Sequence, residues 1–164
     1  MKERTETIYI CDYCFDEESD KSYMEHHEAI CKEFYDRRVS FGQLTIGQII
    51  EKLSQIDGSF PVLIDCGGSY HHGGTVGRGF SYRGYYRDFC VEPIAAASSP
   101  NTVSRLLETF KFANGKSYHG YKGGDFVMSQ NTFVWLSEYG VSSGYAITGV
   151  TVRDNAAYIV AEQM

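Results

Sequence analysis

Four residues near the start of the chain constrain its folding more than any other feature: Cys11, Cys14, His27 and Cys31. They spell C-x2-C-x12-H-x3-C, close to the spacing of two-cysteine, two-histidine zinc fingers with a cysteine in the last place. Tetrahedral zinc takes four nitrogen or sulfur ligands, and the short Cys11-Asp12-Tyr13-Cys14 turn offers two of them from one knuckle. The other two fall on a helix expected from Ser19 to Arg38, with Ser19 or Asp20 as N-cap. There His27 and Cys31 are four residues apart and face the same way, while His26 competes with His27 for the third ligand place. Tyr9 and Met24 are the apolar residues expected around the ion. So short a segment cannot bury enough to fold alone, and the metal supplies what is missing. The ligand set is closed, which marks a structural Zn2+ rather than a catalytic one.

Charge then narrows what this segment can touch. Residues 1–40 hold 11 acidic and 6 basic side chains, a net −5 within a chain total of −6. The expected helix carries Asp20, Glu25, Glu28 and Glu33, which repel phosphates, so non-specific binding of nucleic acid is not expected and a protein-contact finger is. No apolar run approaches a membrane span, and the N-terminus lacks a hydrophobic signal core. With five cysteines and no leader, a reducing, cytoplasmic setting is expected.

Residues 41–164 are expected to form a second unit of α+β class, with two helices and a mainly antiparallel sheet. Hydrophobic residues make up 43% of the chain, ample for a core. Thr45 and Gln48 form a capping box before the stripe Ile46, Ile49, Ile50 and Leu53. Phe60–Asp65 reads as a buried strand. Thr102 caps a helix with the stripe Val103, Leu106, Leu107 and Phe110, stopped by Asn114-Gly115. Both helices share a T-φ-x-x-φ-φ-E pattern, where φ is apolar, a weak sign of internal duplication. Strands are expected at 88–92, 117–122, 125–129, 132–138, 145–153 and 156–162, the last two joined at Asp154-Asn155. Residues 66–79 are rich in glycine and read as a loop. It lacks the Gly-Lys-Ser/Thr ending of a phosphate-binding loop, and His71 and His72 read as solvated rather than as a second metal site with Cys66.

Two motifs carry binding chemistry. Ser81-Tyr82-Arg83-Gly84-Tyr85-Tyr86 and Gly120-Tyr121-Lys122-Gly123-Gly124-Asp125 each set one cation among tyrosines and glycines. Tyrosine offers a flat apolar body, arginine a planar fork of donors, and glycine close approach of the backbone. Tyr82, Arg83, Tyr85, Tyr86, Tyr121, Lys122 and Trp135 are therefore the candidate ligand-binding residues, for a nucleotide-like or other anionic small molecule. Arg83 and Lys122 are expected to converge, because each follows a similar helix-then-strand unit. In the opposing expectation Arg83 is scaffold, paired with Asp88 or Asp125.

These two motifs, with Thr132-Phe133-Val134-Trp135, resemble a family of small uncharacterised proteins from tailed-phage genomes. The likeness covers roughly residues 44–152; the zinc-knuckle extension and the insertion at 70–79 depart from it. The resemblance implies a phage origin and no defined chemistry. By analogy with small phage accessory proteins, the expected function is counter-defence by sequestering the ligand without catalysis. The alternative is an interaction module or inhibitor that binds a host protein through the acidic finger and a tyrosine-rich surface, with self-association also open. Cys66, His71, His72 and Asp88 are chemically able, yet no catalytic spacing stands out, so an enzyme ranks last.

Overall fold

The computed structural model describes residues 5–67, 75–81, 88–94, 101–119, 125–138 and 141–164; at 75–81, 94, 138 and 141–143 the backbone alone is described. The chain divides into two compact units, residues 1–42 and 43–164.

The first unit is a short antiparallel hairpin, β1 (Tyr9–Ile10) and β2 (Glu17–Glu18), followed by one long helix, α1 (Lys21–Phe41). Asp20 is the N-cap, its side chain accepting the Tyr23 N–H, and Gly42 ends the helix at φ 86°, a left-handed turn that glycine adopts without strain. The helix thus runs one turn beyond the end expected at Arg38.

The second unit is α+β, as its sequence predicts, with an architecture the sequence did not disclose. Two helices, α2 (Ile46–Leu53) and α3 (Val103–Ala113), accompany a closed six-stranded barrel. Its strands are β3 (Val62–Asp65), β4 (Thr75–Ser81), β5 (Phe89–Ile94), β8 (Val134–Glu138), β9 (Val141–Arg153) and β10 (Ala156–Gln163), in the cyclic order β10-β3-β4-β5-β8-β9. A separate hairpin, β6 (Ser117–His119) with β7 (Asp125–Val127), lies between α3 and β8. Four of the six barrel junctions are antiparallel; β10 with β3 and β5 with β8 are parallel. A parallel pair requires a crossover, and α3 lies on the one between β5 and β8.

One expectation is corrected. The glycine-rich segment 66–79 is not all loop: from Thr75 it is strand β4, paired with β5 from Thr75↔Ile94 to Ser81↔Phe89. A register shift between Val76 and Gly79 absorbs the irregularity, and glycine is tolerated in a strand where a bulge bends it.

The two halves of this unit repeat one another. Phe89 opens its parallel pairing opposite Val134, and Ala157 opens its own opposite Val62. Phe89 N–H donates to Phe133 O at 3.0 Å, and Ala157 N–H to Pro61 O at 2.9 Å. Ile46 N–H donates to Thr132 O, and Val103 N–H to Phe60 O, both at 2.9 Å. Even the bulges match: the shift between Val76 and Gly79 against β5 has its counterpart near Val160/Ala161, where β9 meets β10. Each half is one helix and a three-stranded meander, α2-β3-β4-β5 and α3-β8-β9-β10, and the parallel junctions join the halves.

The barrel interior is filled by alternating residues: Val62 and Ile64 on β3, Phe89 and Val91 on β5, Val134 and Leu136 on β8, Ala157, Ile159 and Ala161 on β10. The expected stripes complete it, Ile46, Ile49 and Leu53 from α2 with Val103, Leu106 and Phe110 from α3. Phe89 and Phe110 meet with ring centroids 5.6 Å apart, tilted by 56°. Cys90, between Phe89 and Val91 on the opposite face of β5, is buried too, so this strand is covered on both sides.

Candidate metal centre

The knuckle forms because its backbone has few alternatives. Cys11 N–H donates to Asp16 O and Phe15 N–H donates to Cys11 O, each at 2.9 Å, with Phe15 held at φ 62°. The turn presents Cys11, fully buried, and Cys14, half-buried, toward α1. Asp12 N–H donates to Glu28 Oε1 at 3.0 Å, clasping turn to helix. Tyr13 and Tyr35 add a ring contact at 5.4 Å between centroids, and Met24 is the one buried residue of α1.

From the helix come His27 and Cys31. Cys14 Sγ lies 3.0 Å from His27 Nε2 and Cys31 Sγ 3.4 Å from it. The ligand atoms of Cys11, Cys14, His27 and Cys31 all lie within 4.8 Å of one another. Metal–sulfur bonds of about 2.3 Å and metal–nitrogen bonds of about 2.0 Å in a tetrahedron separate ligand atoms by roughly 3.5–3.8 Å, so one ion fits the cluster with small adjustments. The competition between adjacent histidines is resolved: His27 belongs to the cluster, and His26 is exposed outside it. Tyr23 stacks over the His27 ring at 6.4 Å and 19°.

Burial and like charge set the protonation of the cluster. Burial pushes the Cys14 thiol well above its ordinary range; the Asp16 charge and the neighbouring thiols push the same way, against a hydrogen bond from the Asp16 backbone. Burial likewise raises Cys31. Asp16 Oδ2 also stands 3.9 Å from His27 Nε2. Three soft sulfur donors and one borderline imidazole nitrogen in so small a space, with a carboxylate beside them, could hold a cation such as zinc. Asp16 and Glu28 were not anticipated as parts of this centre, since nothing in their spacing separates them from the surrounding acids.

The other candidate residues fare differently. Tyr82, Arg83, Tyr85, Tyr86, Tyr121 and Lys122 lie outside the described residues, as do His71 and His72. Trp135 is half-buried on β8, opposite Cys90 on one side and Ala146 on the other. Asp88 is buried, 4% exposed, immediately before β5. Asp125 pairs with His119, Nδ1 to Oδ1 at 2.8 Å. The helix-then-strand similarity behind the expected convergence of Arg83 and Lys122 does not survive the topology. The counterpart of the segment between β4 and β5 is the turn between β9 and β10, whereas the β6–β7 hairpin has no counterpart in the first half.

No protein-family profile, curated protein sequence or solved structure matches the chain. Among the described residues no helix is long and apolar enough to cross a membrane.

Proposed function

We propose that the first unit is a zinc-organised protein-docking module and that the barrel is the body carrying it. One observation carries this reading: the module wears its apolar residues outside. Among its described residues the only buried hydrophobic side chains are Cys11 and Met24, while Ile8, Ile10, Phe15, Tyr23, Ile30, Phe34 and Val39 are exposed. A unit that buries so little needs the ion to hold its shape, and exposed apolar groups gathered on one small unit mark a protein-contact surface. Three thiolates and one imidazole in a closed tetrahedral set favour zinc with a structural role. Affinity capture from a host lysate with the zinc-loaded chain, its chelated form and Cys31→Ser tests the reading. A partner should be held by the loaded chain alone; equal capture by all three overturns it.

A second reading, a barrel that sequesters a nucleotide-like or other anionic ligand without catalysis, is favoured by a different observation. The halves match in register, and they differ most in length where β4 joins β5 and where α3 joins β8. Those two excess segments contain Arg83 with Tyr82, Tyr85 and Tyr86, and Tyr121 with Lys122. A repeated scaffold needs neither addition for closure, so the additions are where ligand chemistry would be placed. Melting the chain with a nucleotide panel tests this: a ligand-dependent rise lost in Arg83→Ala supports it, and no rise with any nucleotide sinks it. A large drop for Arg83→Ala without ligand assigns that residue to the scaffold instead.

A further inference from the structure

Helix α1 has one largely exposed apolar stripe, touched from its own unit by the His27 ring beneath Tyr23. Tyr23, Ile30 and Phe34 follow one another at i, i+7 and i+11, within an arc of about 40° on the helix. They are 60%, 44% and 49% exposed. The knuckle occupies the adjacent face through Met24, His27, Cys31 and Tyr35. The bare stripe is about 17 Å long, three turns of helix, and its position is fixed by the metal ligands beside it.

Charge selects the occupant. Lys21 is paired with Glu25 and Lys32 with Asp36, both i, i+4 pairs on the face of α1 opposite the stripe. Glu33 flanks the stripe on the side away from the knuckle; on the knuckle side the hairpin carries Asp12, Glu17 and Glu18, and Asp20 caps the helix. Arg37 and Arg38 flank the line of the stripe only beyond Phe34 and mark its far end. A second copy would set one net −5 segment against another, which repel at the close range of a docked pair. A basic amphipathic helix meets both demands, its apolar side on the stripe and its cations over the acidic rim.

We infer that Tyr23, Ile30 and Phe34 form the seat for a basic amphipathic helix of another protein, about three to four turns long. This rests on the docking reading above and names the surface and the chemistry of the partner.

The probe is a fluorescein-labelled amphipathic peptide of leucine and lysine, fourteen residues long, titrated with the zinc-loaded full chain. Its mirror in charge, with glutamate for lysine, is the control. Binding of the lysine peptide alone is expected, weakening at least tenfold between 50 and 500 mM salt and at least thirtyfold in Ile30→Asp/Phe34→Asp. All three stripe residues are exposed, so this variant should keep the cobalt absorption of the folded centre; should it not, Ile30→Ser/Phe34→Ser replaces it. Equal binding of both peptides, or binding untouched by either pair of substitutions, overturns the inference. A concentration-dependent dimer of the chain that the substitutions abolish overturns it in favour of a second copy. If neither peptide binds while lysate capture still requires zinc and the stripe, the basic partner is wrong and docking stands. If capture is also independent of zinc and of the stripe, both fall.

Discussion

Thr45 and Thr102 hold the same station in two copies of one substructure. Each caps its helix through its hydroxyl, accepting from Gln48 N–H and Arg105 N–H respectively, both at 3.4 Å. Each also bridges the residue just ahead of the other half's first strand, Thr45 with Phe133 and Thr102 with Pro61. One side chain therefore starts a helix while its backbone seals the seam between halves. Thr45→Ala and Thr102→Ala should each lower stability by about 1 kcal/mol in urea unfolding, and serine at either place should recover most of it. A negligible loss at both would mean the backbone bridges suffice without the caps.

The metal centre makes a prediction of stoichiometry and of pH. About one zinc per chain is expected by elemental analysis. The site must shed thiol protons to bind it, and burial holds Cys14 and Cys31 in their protonated forms without it. Apparent affinity should therefore climb steadily from pH 6 to pH 8, with protons released on binding, measurable by calorimetry in two buffers of different ionisation enthalpy. Cys31→Ser should weaken binding strongly and reduce helical circular dichroism by the share that α1 contributes.

Glu28 gives that centre a mechanical support with no bond to the metal. Its carboxylate accepts from the Asp12 N–H within the knuckle turn. Glu28→Ala should weaken zinc binding roughly tenfold while leaving the cobalt absorption maximum unmoved, because the ligands stay the same. Glu28→Gln, still an acceptor, should lie between. A shifted absorption maximum would show that the ligand set itself had changed.

Cys90 makes the barrel sensitive to alkali. Burial, with the Asp88 charge adding to it, pushes this thiol well above its ordinary range. A folded state that keeps the proton loses stability once the unfolded chain begins to ionise, near pH 8.5. The contribution is whole below that pH and falls as pH rises, by up to about 1.4 kcal/mol per unit for one group. Stability measured at pH 8, 9 and 10 should fall more steeply in the natural chain than in Cys90→Ala. Parallel slopes would mean the thiol ionises equally well in both states.

The barrel should stand without the first unit. Residues 43–164 hold the entire hydrophobic core cluster, so a chain starting there should be soluble and unfold in one transition. Phe110→Ala within it should cost about 3–5 kcal/mol, and its coupling to Phe89 in a double-mutant cycle should be about 0.5–1.5 kcal/mol. Aggregation of the shortened chain would show that the finger helps build the core.

What was legible in the sequence was local. The capping box at Thr45, the stop at Asn114-Gly115 and the turn at Asp154-Asn155, with φ of 49° and 57°, follow from near neighbours. The cluster of Cys11, Cys14, His27 and Cys31 was legible because four candidate ligands at fixed spacing leave little freedom. Barrel closure was not, since β10 meets β3 across almost the whole unit and nothing in Ala156–Gln163 names that partner. Strand β4 was hidden by its glycines, whose β-structure comes from pairing with β5 rather than from propensity. The duplication shows only faintly in sequence, because what the halves share is hydrogen-bond register, and many different side chains satisfy a register.

The place of β10 has a consequence for the order in which the molecule comes into being. Of the barrel's six strands it is the last in chain order, and it zips to β9 along one edge and to β3 along the other. Until it emerges from the ribosome, the barrel is an open sheet with two unpaired rims. The knuckle needs only the first forty-two residues and an ion, so it can set while most of the chain is still being translated. At some 5–20 residues per second, several seconds separate the two events. During that interval the nascent chain would present a finished finger on an unfinished body, and whatever the finger grips could be captured before the barrel exists.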